Sequence, residues 1–143
     1  HCMRLIGAGQ RCLELACQRV EDRETFGKKL SQHQSIRENI AKSYAELEMA
    51  RLLVHKTCWH IDHHGVKPSI ELISATKISV PLMIQAIIDR CMQMHGAGGL
   101  TEDWCMAEQF NYARWCRQAD GPDEVHQMAL GKRIIQQYAE ASN

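Results

Sequence analysis

The chain has 143 residues, in which 17 lysines and arginines balance 17 aspartates and glutamates, so the formal net charge is zero at pH 7. A domain of this length buries about 68% of the surface of its unfolded chain, which is enough for one hydrophobic core. The balanced charge excludes bulk electrostatics as a basis for binding nucleic acid or an anionic membrane surface. We expect one domain over residues 1–143.

The seven cysteines are odd in number and form no Cys-x-x-Cys pair. Most of them occupy apolar positions of helical patterns, which is typical of reduced thiols in a non-oxidising compartment. We therefore expect an intracellular location. Because a helical pattern is already in progress at His1, we also expect the chain to be part of a longer polypeptide.

The first half of the chain predicts two helices. Residues 3–20 form the first, and residues 22–29 interrupt it with a glycine and no helical periodicity. Ser31 and Gln34 have the spacing of a capping box, which predicts the start of a long second helix. Its apolar stripe recurs at steps of three and four, at Ile36, Ile40, Tyr44, Leu47, Ala50, Val54, Cys58 and Ile61.

The second half predicts three further helical segments. The run 63–68, which contains a glycine and a proline, ends the second helix, and Ser69 is placed to cap the third. Pro81 lies inside that third helix, where we expect a kink, and glycines 96–99 end it. A short helix is predicted over about 102–115, and Pro122 opens the last one. The inner face of the last helix is predicted from Val125, Met128, Ile135 and Tyr138.

No segment alternates with period two over a useful length. The sequence therefore predicts an all-α domain, packed as an antiparallel bundle similar to a four-helix bundle.

Two turns carry the candidate chemistry. Asp120 stands on a tight Asp-Gly-Pro turn in front of a helix, which is also ordinary turn chemistry. The glycine cluster 96–99 follows a helix and lacks the Lys-Ser/Thr of a phosphate-binding loop. It is either a helix C-cap or a stretch of backbone that a ligand can approach closely. Arg23 is either a phosphate partner or an ordinary exposed arginine.

The histidines near the end of the second helix are the other candidate site. His60 and His64 are four residues apart, a spacing that can bind a metal ion on one helical face. No carboxylate or cysteine completes a ligand set, because Asp62 points elsewhere on the helical wheel. Cationic side chains at a helix C-terminus are a sufficient explanation, and we assign no metal.

Three segments taken together resemble the C-terminal helical domain of the acyl-CoA dehydrogenases. Residues 23–28, Arg-Glu-Thr-Phe-Gly-Lys, with Gln34 downstream, look like the Arg-x-x-Phe-Gly loop of that family. Residues 93–99 are similar to its Gln-x-x-Gly-Gly-x-Gly turn, and residues 120–125 to its Glu-Gly-Thr-x-x-Ile segment. The resemblance covers the whole chain in order. The Asp-Gly-Pro-Asp-Glu-Val-His variant is most similar to the subgroup of acyl-CoA dehydrogenase family members 10 and 11.

The resemblance implies a flavoprotein that uses FAD. It places Asp120 at the position of the catalytic base. It implies that Arg23 and Thr25 contact the pyrophosphate region of an FAD molecule that is held mainly by a neighbouring subunit. The other cofactor contacts that it implies are Phe26, His33, Gln34, Gln93, Gly96, Ala97, Pro122 and Glu124.

The resemblance also implies partners. These are an acyl-CoA substrate, an electron-transfer flavoprotein as electron acceptor, and further copies of the chain in a homodimer or homotetramer. The implied location is mitochondrial or peroxisomal in a eukaryote and cytoplasmic in a bacterium.

Three departures from the family pattern matter. Aspartate replaces the usual glutamate at position 120, Pro122 replaces a threonine, and Ala97 replaces a glycine. The aspartate arm is one methylene shorter. A flavin oxidase of the same superfamily, of the acyl-CoA or nitroalkane oxidase type, and a non-catalytic oligomerisation module are the alternatives.

Overall fold

The computed structural model describes residues 1–141, which form five α-helices and one two-stranded ribbon. The helices are α1 (Cys2–Asp22), α2 (Gln34–His64), α3 (Ile70–His95), α4 (Met106–Cys116) and α5 (Asp123–Ala141). The strands β1 (Glu24–Thr25) and β2 (Lys28–Lys29) pair antiparallel. Short 3₁₀ turns at Leu30–Gln32, Lys67–Ser69 and Gly96–Leu100 join the helices. The predicted all-α class is confirmed.

Helices α1 to α4 run up, down, up and down around one core. The side chain of Arg90 on α3 bonds Ser43 on α2, and Thr76 bonds Thr57, which is an antiparallel register. By contrast, Cys2 on α1 donates to the Thr76 carbonyl, so α1 and α3 begin at the same end of the bundle. Helix α3 packs against each of the other four helices.

The core lies along the centre of α3. Its fully buried side chains interdigitate between α1, α2, α3 and α4 at Leu5, Cys12, Leu47, Val80, Ile84, Ile87, Ile88, Cys91, Met106 and Cys116. The segment Lys67–Leu100 is long and apolar enough by composition to cross a membrane. A third of that apolar window is buried in the described bundle, where α3 packs against the other helices. The helix continues through Pro81, which is itself buried.

The capping box predicted at Ser31 and Gln34 is wrong. Helix α2 begins at Gln34 itself, preceded by His33, and within residues 1–141 no side chain caps it. Ser31 lies in the preceding 3₁₀ turn, where its carbonyl accepts a hydrogen bond from Arg37 Nε at 2.7 Å. Ser31 and Gln34 have the spacing of a capping box, but the 3₁₀ turn moves the N-cap by two residues, from position 31 to His33.

The predicted inner face of α5 is also wrong for the described part of the chain. Val125, Met128, Ile135 and Tyr138 are between 50% and 74% exposed. Helix α5 instead turns polar residues toward α3, because both Arg133 and Gln137 reach Glu71. Periodicity identifies an amphipathic helix but does not identify the surface that covers its apolar face.

Candidate functional site

The turn between α4 and α5 holds Asp120 in an unusual backbone conformation. Asp120 has φ +57° and Gly121 has φ +102°, so two consecutive residues lie at positive φ. Glycine tolerates this region without a steric cost, and aspartate is one of the few other residues that visits it. A Cβ atom at position 121 would also stand 3.0 Å from His126 Nε2. Glycine at position 121 and aspartate at position 120 are therefore compatible with the local geometry.

Two charged side chains hold the turn in place. Lys77, buried on α3, donates from Nζ to the carbonyl oxygens of Cys116 at 2.5 Å and Gly121 at 3.2 Å. Arg117, the first residue of the turn, donates from Nε to Asp123 Oδ2 at 2.7 Å, and the carboxylate of Asp123 is almost fully buried. The end of α4, the turn and the start of α5 are thereby bonded to one another and to α3.

The side chain of Asp120 contacts an imidazole from the start of the chain. His1 Nε2 lies 3.1 Å from Asp120 Oδ2, and His1 Nδ1 lies 3.2 Å from the Tyr112 hydroxyl. Trp115 packs against the edge of the His1 ring and stacks on Tyr112. The Asp120 carboxylate is therefore exposed to solvent and in contact with His1.

An apolar groove of about 380 Å³ begins at this carboxylate. Asp120 and His126 stand on its border together with His1 and Lys77. The remainder of its wall comes from the N-terminal residues of α1 and from the facing stretches of α2 and α3, namely Cys2, Met3, Val54, Thr57, Cys58, Ile61, Ile73 and Thr76. The hydroxyls of Thr57 and Thr76 bond each other at 2.7 Å, so this groove offers mainly apolar contact.

The glycine turn after α3 forms a second hollow, of about 330 Å³. Gln93, Gly96 and Ala97 line it and are exposed, and Gly96 has φ +66°. Gly99 is buried behind them, where an added Cβ would stand 2.7 Å from the Met92 carbonyl oxygen. The two alternatives for this cluster are compatible: it ends α3 and it also presents open backbone.

His95, the last residue of α3, directly precedes the glycine turn. Its ring is buried, bonds the Cys91 carbonyl through Nδ1 at 2.8 Å and meets the Trp104 ring edge-on. Burial lowers the pKa of His95 below its ordinary value, because the imidazolium is poorly solvated there. The neutral ring donates Nδ1–H to the carbonyl. Among residues 1–141 no partner reaches the buried Nε2 atom.

The connection between α1 and α2 carries the remaining candidate residues. Arg23 and Gln34 are exposed, and Phe26 is 97% exposed with φ +53°. The hydroxyl of Thr25 lies 3.5 Å from His33 Nε2.

The candidate residues divide between the two ends of the bundle. The 23–34 connection and the 93–99 turn follow the C-terminal ends of α1 and α3, which are parallel, so they share one end. Asp120, Pro122 and Glu124 lie at the other end, beside Lys77. Sixteen residues of α3 separate Lys77 from Gln93, about 24 Å at 1.5 Å per residue. Pro122 and Glu124 are exposed at the start of α5.

The histidine cluster forms the C-terminal end of α2. His60 Nδ1 lies 2.8 Å from the Ser69 hydroxyl, and His63 stacks on Trp59. The rings of His60 and His64 are 4.5 Å apart at their centroids. Within the described range 1–141 no group of three or more potential ligand side chains is arranged to hold a metal ion.

Sequence reasoning missed the residues that hold the Asp120 turn. Lys77 had a usable signal, because it is a single cation between Ile73 and Val80 on the apolar core helix. Asp123 had a weaker signal at the start of α5, where acidic residues are favoured for the helix dipole alone. The contact between His1 and the turn joins residues 119 positions apart, and no local pattern predicts it.

Comparison with known proteins identifies the family. Residues 1–135 match the family model described as the acyl-CoA dehydrogenase C-terminal domain, and this chain belongs to that family. It is 46% identical over 132 residues to acyl-CoA dehydrogenase family member 10 of Mus musculus and covers 12% of that protein's length. It is 42% identical over 132 residues to family member 11 of Gallus gallus and covers 17% of it. Each match includes 92% of the present chain.

Solved structures agree with this assignment. A Mycobacterium abscessus structure described as a candidate acyl-CoA dehydrogenase superposes with a TM-score of 0.94 at 40% identity. It includes 96% of this chain, which covers 34% of it. A glutaryl-CoA dehydrogenase from Mycobacterium smegmatis in complex with FADH2 gives a TM-score of 0.85 at 28% identity over 91% of this chain and 33% of its own. The chain thus spans about a third or less of these relatives.

Proposed function

We propose that the chain is the cofactor- and substrate-binding C-terminal domain of an FAD-dependent acyl-CoA dehydrogenase, which converts an acyl-CoA into a 2-enoyl-CoA. The observation that carries this proposal is the apolar groove that begins at Asp120. An acyl chain needs an apolar wall, and the carbon beside its thioester needs a base at one end of that wall. The family assignment supports the same chemistry.

Asp120 is the proposed base. Its carboxylate removes a proton from the carbon next to the thioester, and a hydride leaves the neighbouring carbon. Lys77 fixes the backbone of the turn, and His1 contacts one carboxylate oxygen. Because the aspartate arm is short, the position of the base depends on the backbone, which these contacts hold.

The other end of the bundle is the proposed cofactor surface. The exposed backbone at Gly96 and Ala97 and the amide of Gln93 suit a nucleotide. Arg23 offers a cation for a phosphate, and Phe26 offers an aromatic face. Thr25, His33 and Gln34 complete this surface, and Pro122 and Glu124 are proposed flavin contacts at the Asp120 end. When bound, FAD supplies the hydride acceptor, as the FADH2 complex of the glutaryl-CoA dehydrogenase suggests.

Homo-oligomerisation, as a dimer or a tetramer, is part of the proposal. The two groups of residues are about 24 Å apart along α3. That distance supports the implication that Arg23 and Thr25 contact a cofactor held mainly by a neighbouring subunit. The exposed apolar side chains of α5, Met128 and Ile135 among them, are suitable for burial against another copy.

The proposed electron acceptor is an electron-transfer flavoprotein, and the proposed location is a mitochondrion or peroxisome in a eukaryote or the cytoplasm in a bacterium. An oxidase of the same superfamily is distinguished by its product. In air, an oxidase forms hydrogen peroxide in proportion to the substrate consumed, whereas a dehydrogenase reduces the partner flavoprotein.

The proposal is tested on a full-length protein that contains this chain. Purified anaerobically, it should carry FAD, and a panel of acyl-CoA thioesters should bleach the flavin absorbance. The acyl-CoA that bleaches fastest identifies the chain length. A protein that binds no FAD, or whose flavin no acyl-CoA reduces, would contradict the proposal and would favour the non-catalytic oligomerisation module.

A further inference from the structure

The Asp120 side chain needs a restraint that the turn does not supply. Its carboxylate is 71% exposed, and a free aspartate side chain samples several rotamers. Efficient proton removal requires the base to be held within hydrogen-bond reach of the reacting carbon. The backbone clamp at Lys77 fixes the Cα atom of Asp120 but leaves its side chain free to rotate.

His1 supplies that restraint through its ring. Its Nε2 atom lies 3.1 Å from Asp120 Oδ2, which is within ion-pair distance. Its Nδ1 atom shares a hydrogen bond of 3.2 Å with the Tyr112 hydroxyl. Trp115 limits the ring from a third direction, edge-on at 5.5 Å between centroids.

The two carboxylate oxygens of Asp120 are consequently unequal, because the contact with His1 is made through Oδ2. We propose that His1, itself oriented by Tyr112, is a positioning residue for the base: it holds Asp120 by Oδ2 and leaves Oδ1 to take the substrate proton. No bond to His1 forms or breaks. This inference rests on the proposed function, in which Asp120 is the base.

The contact also offsets the shorter arm of aspartate. A glutamate reaches further and can be placed by its own extra torsion, whereas Asp120 depends on a neighbour to fix its direction. The titratable groups that face this pair are Cys2 on α1, Lys77 on α3, Tyr112 and Cys116 on α4, and His126 on α5.

The test uses the rate of anaerobic flavin bleaching by an acyl-CoA, measured at neutral pH in the full-length protein. His1→Leu should lower the rate about 10-fold, because the carboxylate loses the contact that orients it, while the FAD content stays unchanged. His1→Gln, which keeps a polar N–H group, should recover part of the rate. Tyr112→Phe should lower the rate by less than His1→Leu.

A His1→Leu variant with the wild-type rate would overturn the proposal. A second readout does not depend on activity. With histidine-selective isotope labelling, the ring resonances of His1 should differ between the wild type and Asp120→Asn, because the substitution removes the charge beside Nε2. Identical resonances would refute the pairing. Failure of every acyl-CoA to bleach the wild type would instead contradict the proposed function, and the resonances would still test the His1–Asp120 contact.

Discussion

The buried ammonium group of Lys77 donates to the carbonyl oxygen of Gly121 at 3.2 Å, and this contact joins the core helix to the turn that carries Asp120. The same group bonds the carbonyl of Cys116, the last residue of α4. Lys77 thus bonds one carbonyl oxygen before Asp120 in the chain and one after it. The position of the candidate base depends on a residue from the centre of the sequence.

Replacing Lys77 by methionine keeps its apolar stem and removes its donors. Two carbonyl groups then lose their partner, and we expect the free energy of unfolding to fall by about 1–3 kcal/mol. Denaturant titration measures this change. Lys42→Met, on the exposed face of α2, is the matched control and should change stability by less than about 0.5 kcal/mol. Equal effects of the two substitutions would show that Lys77 is not a structural clamp.

The Arg117–Asp123 pair is the second clamp, and a double-mutant cycle measures it. The Asp123 side chain is only 6% exposed, so Arg117→Gln leaves a buried carboxylate without its cation. We expect Arg117→Gln and Asp123→Asn to be non-additive, with a coupling free energy of about 0.5–3 kcal/mol. Additive effects would mean that the observed contact contributes nothing to stability.

Two glycine-to-alanine substitutions, one in the glycine turn and one in α5, should change stability in opposite directions. Gly99→Ala would place a Cβ atom 2.7 Å from the Met92 carbonyl oxygen and should destabilise the protein by more than about 1 kcal/mol. Gly131 lies in α5 with open space around its Cα atom. Gly131→Ala should therefore raise stability by about 0.5–1 kcal/mol, because alanine is the better helix former. Thermal unfolding distinguishes the two, and a harmless Gly99→Ala would contradict the packing of the turn.

His95 should make stability depend on pH. Its pKa is lowered in the folded state, so below its ordinary value of 6.5 the unfolded chain binds more protons than the folded one. The stabilising contribution is present above pH 6.5 and is lost as the pH falls toward the folded-state pKa. His95→Gln should flatten the decline in the free energy of unfolding below pH 6.5. The exposed His55 provides the control, because His55→Gln should leave the slope unchanged. An unaltered slope in His95→Gln would contradict this prediction.

The sequence predicted the helices well because their periods are strong. Leu47, Ala50 and Val54 were assigned to the inner stripe of α2 and are buried. Tyr44 and Cys58 were assigned to the same stripe but are exposed. Their neighbours Ser43 and Thr57 are buried and bond α3, so the buried face of α2 is rotated away from Tyr44 and Cys58 at these points.

The site was predictable only where its residues are consecutive. The Asp-Gly-Pro turn was predicted because aspartate, glycine and proline are typical turn residues, and Asp120 and Gly121 do adopt positive φ. The contacts of Lys77 and His1 with that turn join distant parts of the chain, so they become visible only after the helices have packed. The apolar face of α5 illustrates the same limit, because the pattern describes a helix but not its partner.

The central claim is that Asp120 is the base, and its replacement tests this most directly. In a full-length protein that contains this chain, Asp120→Asn keeps the shape of the side chain and removes its charge. Asp62→Asn, on the exposed side of α2, is the matched control because it makes the same chemical change away from the proposed site. With FAD content equal in both variants, we expect acyl-CoA to bleach the flavin of Asp62→Asn and to fail to bleach that of Asp120→Asn on the same timescale. Undiminished bleaching in Asp120→Asn would contradict this claim.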